Sequence, residues 1–220
     1  MHKSVDNLIL IENEIKQFLF DKSVNNLPNI IAISKTFPMS SILPLINHGH
    51  EHFGENKVQE AISKWENIKQ DFKNIKLHLV GNLQSNKVKS ALKIFDYIHS
   101  LDNLKLAEKI SKEQIKYEKK VKIFIQVNVG NEIQKNGIEI NNLETFYKKC
   151  IEEFDLDIIG LMCLPPKNAS ATNYFLMMKK LIKDLNLKEL SMGMSNDYLE
   201  AVKHNSSYVR IGTKIFGERV

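Results

Sequence analysis

Eight short runs rich in β-forming apolar residues recur along the 220-residue chain, at 29–35, 50–56, 77–81, 97–102, 122–129, 156–163, 189–193 and 208–216. Between them, apolar residues return at helical spacing instead. One such segment carries Val58, Ile62, Trp65 and Ile68, another Leu104, Ala107, Ile110 and Ile115, a third Phe175, Met178, Leu181, Ile182 and Leu185. A further helix, with Val5, Leu8, Ile9, Ile15, Phe18 and Leu19, precedes the first run. Eight strands alternating with helices is the count of a (β/α)8 barrel, an α/β fold. No low-complexity linker interrupts the pattern, so residues 1–220 are expected to form one domain. An open doubly wound sheet is the runner-up. It is disfavoured because Ser34-Lys35-Thr36-Phe37-Pro38, not a Gly-rich dinucleotide loop, follows the first run.

Composition narrows the function classes. The net charge of +5 and a pI near 9.0 raise the question of nucleic acid. The lysines, however, are interleaved with carboxylates, as in Lys105-Leu106-Ala107-Glu108-Lys109, which is the pattern of a solvated helix surface rather than a basic stripe. No run approaches the roughly 18 to 20 apolar residues of a membrane span. The N-terminal residues lack a signal peptide's apolar stretch, and Cys150 and Cys163 form no disulfide or metal motif. Neither nucleic acid nor membrane is therefore expected as a partner, and the cytoplasm is the expected location.

In a barrel, chemistry belongs at the carboxyl ends of the strands, and phosphate commonly sits after strands seven and eight. Alternation turns Ile31, Ile33 and Lys35 inward at the first strand. A partly desolvated lysine there can act as a neutral amine toward an aldehyde. The seventh run ends in Ser191-Met192-Gly193-Met194-Ser195, with Ser195 in reach of capping the next helix. The eighth ends in Arg210-Ile211-Gly212-Thr213. Arg210 and Arg219 are the chain's two arginines, all other basic residues being lysine. A planar, permanently charged guanidinium suits an anion or an aromatic nitrogen. By parity Arg210 and Gly212 face inward, while Val209 and Ile211 pack outward. These turns read as a phosphate cradle, or as ordinary caps. An aldehyde-seeking lysine and a phosphate cradle together fit pyridoxal 5′-phosphate, with its ring across the barrel mouth.

The ordered set Ala32-Ile33-Ser34-Lys35-Thr36, Phe53-Gly54-Glu55-Asn56, residues 78–87 (His-Leu-Val-Gly-Asn-Leu-Gln-Ser-Asn-Lys), Gly160-Leu161-Met162, Ser191-Met192-Gly193-Met194-Ser195 and Val209-Arg210-Ile211-Gly212-Thr213 resembles the pyridoxal phosphate homeostasis protein family. The resemblance runs from the first strand to the C-terminus. It implies the alanine racemase N-terminal barrel in single-domain form, with pyridoxal 5′-phosphate as cofactor. On that resemblance Lys35 matches the Schiff-base lysine, Asn56 an asparagine near the cofactor, and Ser195, Gly212 and Thr213 the phosphate contacts. Arg210 matches an arginine facing the ring or the phosphate. Phe37 stands where the family often has lysine, and Gly130 where serine is common. Lys135 reads as a solvated loop lysine.

The resemblance implies a carrier or regulator of intracellular vitamin B6, with no dedicated catalytic residues. Racemisation needs an acid/base on each face of the substrate, and the chain ends soon after the eighth strand, leaving no sequence for the domain that supplies the second group in alanine racemases. A racemase-like enzyme is the first alternative. A metal-dependent barrel hydrolase is the second, hinted at by His48-Gly49-His50-Glu51-His52. That cluster begins before its strand, near the wrong end of a barrel, so no metal site is expected, and His78 reads as a hydrogen-bonded interior group. A module that binds other vitamin B6 enzymes is the third. Apo forms of pyridoxal-phosphate-dependent enzymes are the candidate macromolecular partners, and a monomer or weak dimer the expected assembly.

Overall fold

The computed structural model describes residues 2–21, 27–132, 134–166 and 169–218. Helix α1 (Lys3–Asp21) leads into β1 (Asn29–Ile33), α2 (Met39–Asn47), β2 (His52–Glu55), α3 (Val58–Trp65), α4 (Ile68–Asp71) and β3 (Lys76–Leu79). There follow α5 (Val88–Ile94), β4 (Tyr97–Leu101), α6 (Leu104–Tyr117), β5 (Lys122–Val127), α7 (Leu143–Glu152) and β6 (Ile158–Cys163). The chain continues through α8 (Ala171–Asp184), β7 (Glu189–Met194), α9 (Tyr198–Lys203), β8 (Tyr208–Ile211) and α10 (Thr213–Phe216). The eight strands close in sequence order into one barrel, all pairs parallel. β8 meets β1 with Ile30 opposite Val209 and Ile31 opposite Arg210.

Two packed layers follow from strand alternation. Outward-facing residues such as Ala32, Phe53, Leu77, Ile98, Val209 and Ile211 join the helices in one apolar shell. Trp65, Phe95 and Phe175 are fully buried there. α1 adds Leu8, Ile11 and Ile15 to that shell, lying against α2, α9 and α10. The Asn7 side-chain amide donates to the Ile215 carbonyl at 2.9 Å, pinning α1 to the helix after β8. Each Leu or Ile so buried contributes about 1.5–3 kcal/mol. The inner layer is smaller and holds Ile31, Ile33, Tyr97, Phe124, Met162 and Tyr208, together with buried His78, His99, Ser191 and Arg210.

The strands are mostly shorter than the apolar runs that announce them, the apolar stripe at 58–68 is divided between α3 and α4, and three further differences are local. The eighth strand stops at Ile211, and Thr213–Phe216 turn into α10, because Gly212 ends the β conformation and its carbonyl accepts from Ile215 and Phe216. Ile115 does not join the buried stripe of α6; it is 76% exposed near the helix's last turn. His50 precedes β2 rather than belonging to it. Arg219 lies outside the described residues. Among the described residues no helix is long and apolar enough to cross a membrane.

Candidate functional site

A cavity of about 840 Å³ opens at the carboxyl ends of the strands. Lys35, Asn56, Ser195, Arg210, Gly212 and Thr213 all line it. They come from the ends of β1, β2, β7 and β8, so only closure of the barrel brings them together. The turn after β8 lies next to the lysine strand rather than opposite it. A Cβ on Gly212 would sit 3.4 Å from the Ile33 Cβ, two residues before Lys35. Two strand residues span roughly 7 Å, within reach of one small ring and its substituents. The end of β1 and the turn after β8 are thus neighbours on the rim, while the cavity extends on to Val80, Gln126 and Leu164 at the carboxyl ends of β3, β5 and β6.

The backbone around Lys35 is held from both sides. Ser34 is fully buried, and its hydroxyl donates to the Glu55 carboxylate at 2.7 Å. Trp65 Nε1 and Lys64 Nζ donate to the same oxygen, each at 3.0 Å. Lys64 Nζ also donates to the Ser34 carbonyl and to Glu60 at 3.0 Å. Glu60 in turn accepts the Thr36 N–H at 2.7 Å. Thr36 has a φ of 68°, a left-handed conformation that a β-branched residue rarely adopts and that costs of order 1–3 kcal/mol. Partial burial works against the Glu60 carboxylate, but the Thr36 N–H and the Lys64 ammonium outweigh it and hold its pKa below the ordinary value. Glu55, Lys64 and Glu60 thus form a clamp that fixes Ser34 and Thr36, and with them the direction in which Lys35 leaves the strand.

On the opposite flank, Arg210 is buried. Its Nη1 donates to the Ser191 carbonyl at 2.6 Å and to the Ser191 hydroxyl at 2.7 Å. Its Nη2 donates to the Cys163 carbonyl at 2.8 Å. Three of the five guanidinium N–H groups are thereby fixed on β6 and β7, and the group still borders the cavity. Gly193, two residues on from Ser191, has a φ of 89° and would drive a Cβ to 2.5 Å from the Ala201 Cβ. Only glycine lets β7 turn into α9 there. Gly81 plays the matching part beside β2, where a Cβ would meet the Asn56 carbonyl oxygen at 2.3 Å.

Ser195 borders the cavity but does not cap α9. Asp197 occupies the cap position, and its carboxylate turns back to accept the Met194 N–H at 2.6 Å. Phe37 stacks on Phe216 at 4.8 Å, joining the turn after Lys35 to α10. Lys135 pairs with Glu132 and is absent from the described cavity wall. Gln126 was not foreseen. It reaches the wall from the inner face of β5, two residues after Phe124, and its amide donates to the Asn136 carbonyl at 3.2 Å. Its parity within an apolar run was the available clue. Among the described residues no group of three or more His, Cys, Asp or Glu side chains is arranged to hold a metal.

The sequence model of the alanine racemase N-terminal domain matches residues 21–220, and the closed barrel defines the same class. Alanine racemase of Clostridium difficile 630 shares that fold, with a TM-score of 0.74 at 14% identity over 97% of this chain and 57% of its own. Nearer relatives narrow the class. The pyridoxal phosphate homeostasis protein of Aquifex aeolicus is 36% identical over 203 residues, 88% of each chain. That of Haemophilus influenzae is 34% identical, covering 97% of this chain and 94% of the relative. PipY of Synechococcus elongatus PCC7942, solved with PLP bound, superposes with a TM-score of 0.80 at 32% identity, over 92% of this chain and 100% of its own. The chain belongs to the pyridoxal phosphate homeostasis protein family.

Proposed function

We propose that the chain holds pyridoxal 5′-phosphate in the rim cavity through a Schiff base to Lys35, and serves intracellular vitamin B6 homeostasis in the cytoplasm without a dedicated catalytic activity. The observation that carries this reading is the meeting of an amine, a guanidinium and two hydroxyl-bearing turns on one cavity wall. The names of the relatives and the PLP-bound neighbour support it.

The donor set fits the ligand. Lys35 would hold the aldehyde end of the ligand through its side-chain amine. The backbone at Gly212 and Thr213 and the hydroxyls of Ser195 and Thr213 receive the phosphate. Arg210 lies two residues deeper than Gly212 on the same strand and would meet the ring side. Asn56, fixed by the close approach of Gly81, borders the same space. When bound, the group supplies an electrophilic carbon and an electron-withdrawing ring. A guanidinium keeps its protons, so Arg210 would offer the ligand a hydrogen-bond donor without giving it a proton. Among the described wall residues there is no tyrosine, histidine or cysteine, and the one carboxylate, Asp197, is engaged with the Met194 N–H, so none of these faces Lys35 as a second proton carrier. That favours reversible holding and delivery over racemisation. Apo forms of pyridoxal-phosphate-dependent enzymes are the recipients this reading expects.

The test is borohydride reduction of the protein mixed with pyridoxal 5′-phosphate, followed by peptide mass mapping. The expected result is a stable adduct at Lys35, absent in Lys35→Ala. Labelling spread over the surface lysines, with Lys35 unmodified, would overturn the proposal.

A further inference from the structure

Three histidines inside the barrel form one continuous line of hydrogen bonds that the site described above does not use. His52 Nδ1 lies 2.9 Å from His78 Nε2, His78 Nδ1 lies 2.9 Å from His99 Nε2, and His99 Nδ1 lies 2.9 Å from the Ser191 hydroxyl. That hydroxyl is the one that takes the Arg210 Nη1 hydrogen bond at 2.7 Å. Five side chains from β2, β3, β4, β7 and β8 are thus joined through the interior. At the far end His52 borders a second cavity, of about 320 Å³, beside Asn29, the first residue of β1. The line therefore runs between the two ends of the barrel. Its rings are held in plane: His78 stacks on Tyr97 at 4.1 Å and His99 on Phe124 at 4.4 Å.

The direction of this line follows from Arg210. A guanidinium has N–H groups and no acceptor, so the Ser191 hydroxyl must accept from it. The hydroxyl proton then points to His99 Nδ1, which must carry a lone pair. A neutral His99 has its proton on Nε2 and donates to His78 Nδ1. His78 repeats the pattern and donates from Nε2 to His52 Nδ1. The reverse direction would set the Ser191 hydroxyl between two donors and leave its own proton, on a residue with no solvent exposure, without an acceptor among these partners. We infer that Arg210, Ser191, His99, His78 and His52 form a hydrogen-bonded column of one fixed direction, in which Ser191 and His99 are positioning residues that aim Arg210 at the ligand. Neutral imidazoles are what the column requires, and burial supplies them. It holds His78 and His99 well below the ordinary histidine value, Arg210 adding to the effect on His99, and it lowers His52 as well. The aiming role rests on the function proposed above, whereas the direction of the column does not.

Nitrogen-15 NMR of histidine-labelled, ligand-free protein at neutral pH reads the tautomers, with His→Gln variants assigning the signals. His52, His78 and His99 are each expected with the proton on Nε2 alone. A proton on Nδ1 of any of the three, or on both nitrogens, would overturn the column. Ser191→Ala then cuts the line between Arg210 and His99. His99 should lose its single tautomer, and the dissociation constant for pyridoxal 5′-phosphate should rise about tenfold while borohydride still labels Lys35. An affinity within twofold of the unaltered protein would overturn the positioning role. Should Ser191→Ala fail to fold, the tautomers of the unaltered chain still decide the column. Should the unaltered chain take up no pyridoxal 5′-phosphate while its tautomers are as expected, the function proposed above fails, and with it the aiming role, but the column stands.

Discussion

The barrel has two interiors, and they are built on different chemistry. Between strands and helices lies a layer of Leu, Ile, Val and Phe side chains with Trp65 at full burial. Inside the strands lies a smaller space in which aromatic rings alternate with histidines, a serine and an arginine. Apolar side chains can repack with modest loss, since dispersion and area are not directional. The inner groups cannot, because each N–H must find a particular lone pair. The outer layer therefore sets how stable the chain is, and the inner layer sets where its functional groups point.

The largest test of that contrast is Trp65→Ala. Trp65 is fully buried and also donates to Glu55, so its removal should destabilise the protein by about 3–5 kcal/mol in urea titration. An effect below about 1 kcal/mol would break the assignment of stability to the outer layer.

Acid tests the inner layer and the end nearest it. Burial pushes the His50 imidazole down to about 4, and His78 and His99 are lowered too. The unfolded chain, with histidines near 6.5, binds more protons below that value than the folded chain does. Stability is thus complete above pH about 6.5 and is lost as pH falls toward 4, with His50 alone accounting for up to roughly 3 kcal/mol. Urea midpoints measured across that window should fall steadily. A flat profile would mean that these imidazoles are not held neutral.

A smaller effect is expected from Glu60→Ala, which removes the acceptor of the Thr36 N–H. It should cost about 1–2 kcal/mol in stability and slow borohydride-trappable capture at Lys35 by about tenfold. Loss of stability with an unchanged capture rate would reduce the clamp to a structural feature. The smallest is Phe37→Ala, which removes the stack on Phe216 and should cost about 0.5–1.5 kcal/mol by thermal unfolding, leaving Lys35 reactive.

The outer layer was legible in the sequence because it is periodic. Val209 and Ile211 alternate with Arg210, and the apolar stripes of α1 and α8 return every three or four residues. That the six candidate residues would share one cavity was legible because each stands at or just past a strand's carboxyl end in a recognisable motif. The inner column was not, beyond His78 as a bonded interior group. His99 and Ser191 are 92 residues apart, and their meeting depends on strand register around a closed cylinder. The clamp hid for the same reason, since Thr36 and Glu60 lie 24 residues apart on different elements. Ser195 was misread as a cap because Ser195, Asn196 and Asp197 all have capping side chains, and only backbone geometry selects Asp197.

The central claim is that Lys35 and the turns after β7 and β8 serve one ligand molecule. Crystals grown with pyridoxal 5′-phosphate test it most directly. The account predicts unbroken density from Lys35 Nζ through the ring to a phosphate against Ser195, Gly212 and Thr213. A bare Lys35, or a phosphate bound away from those turns, would contradict it.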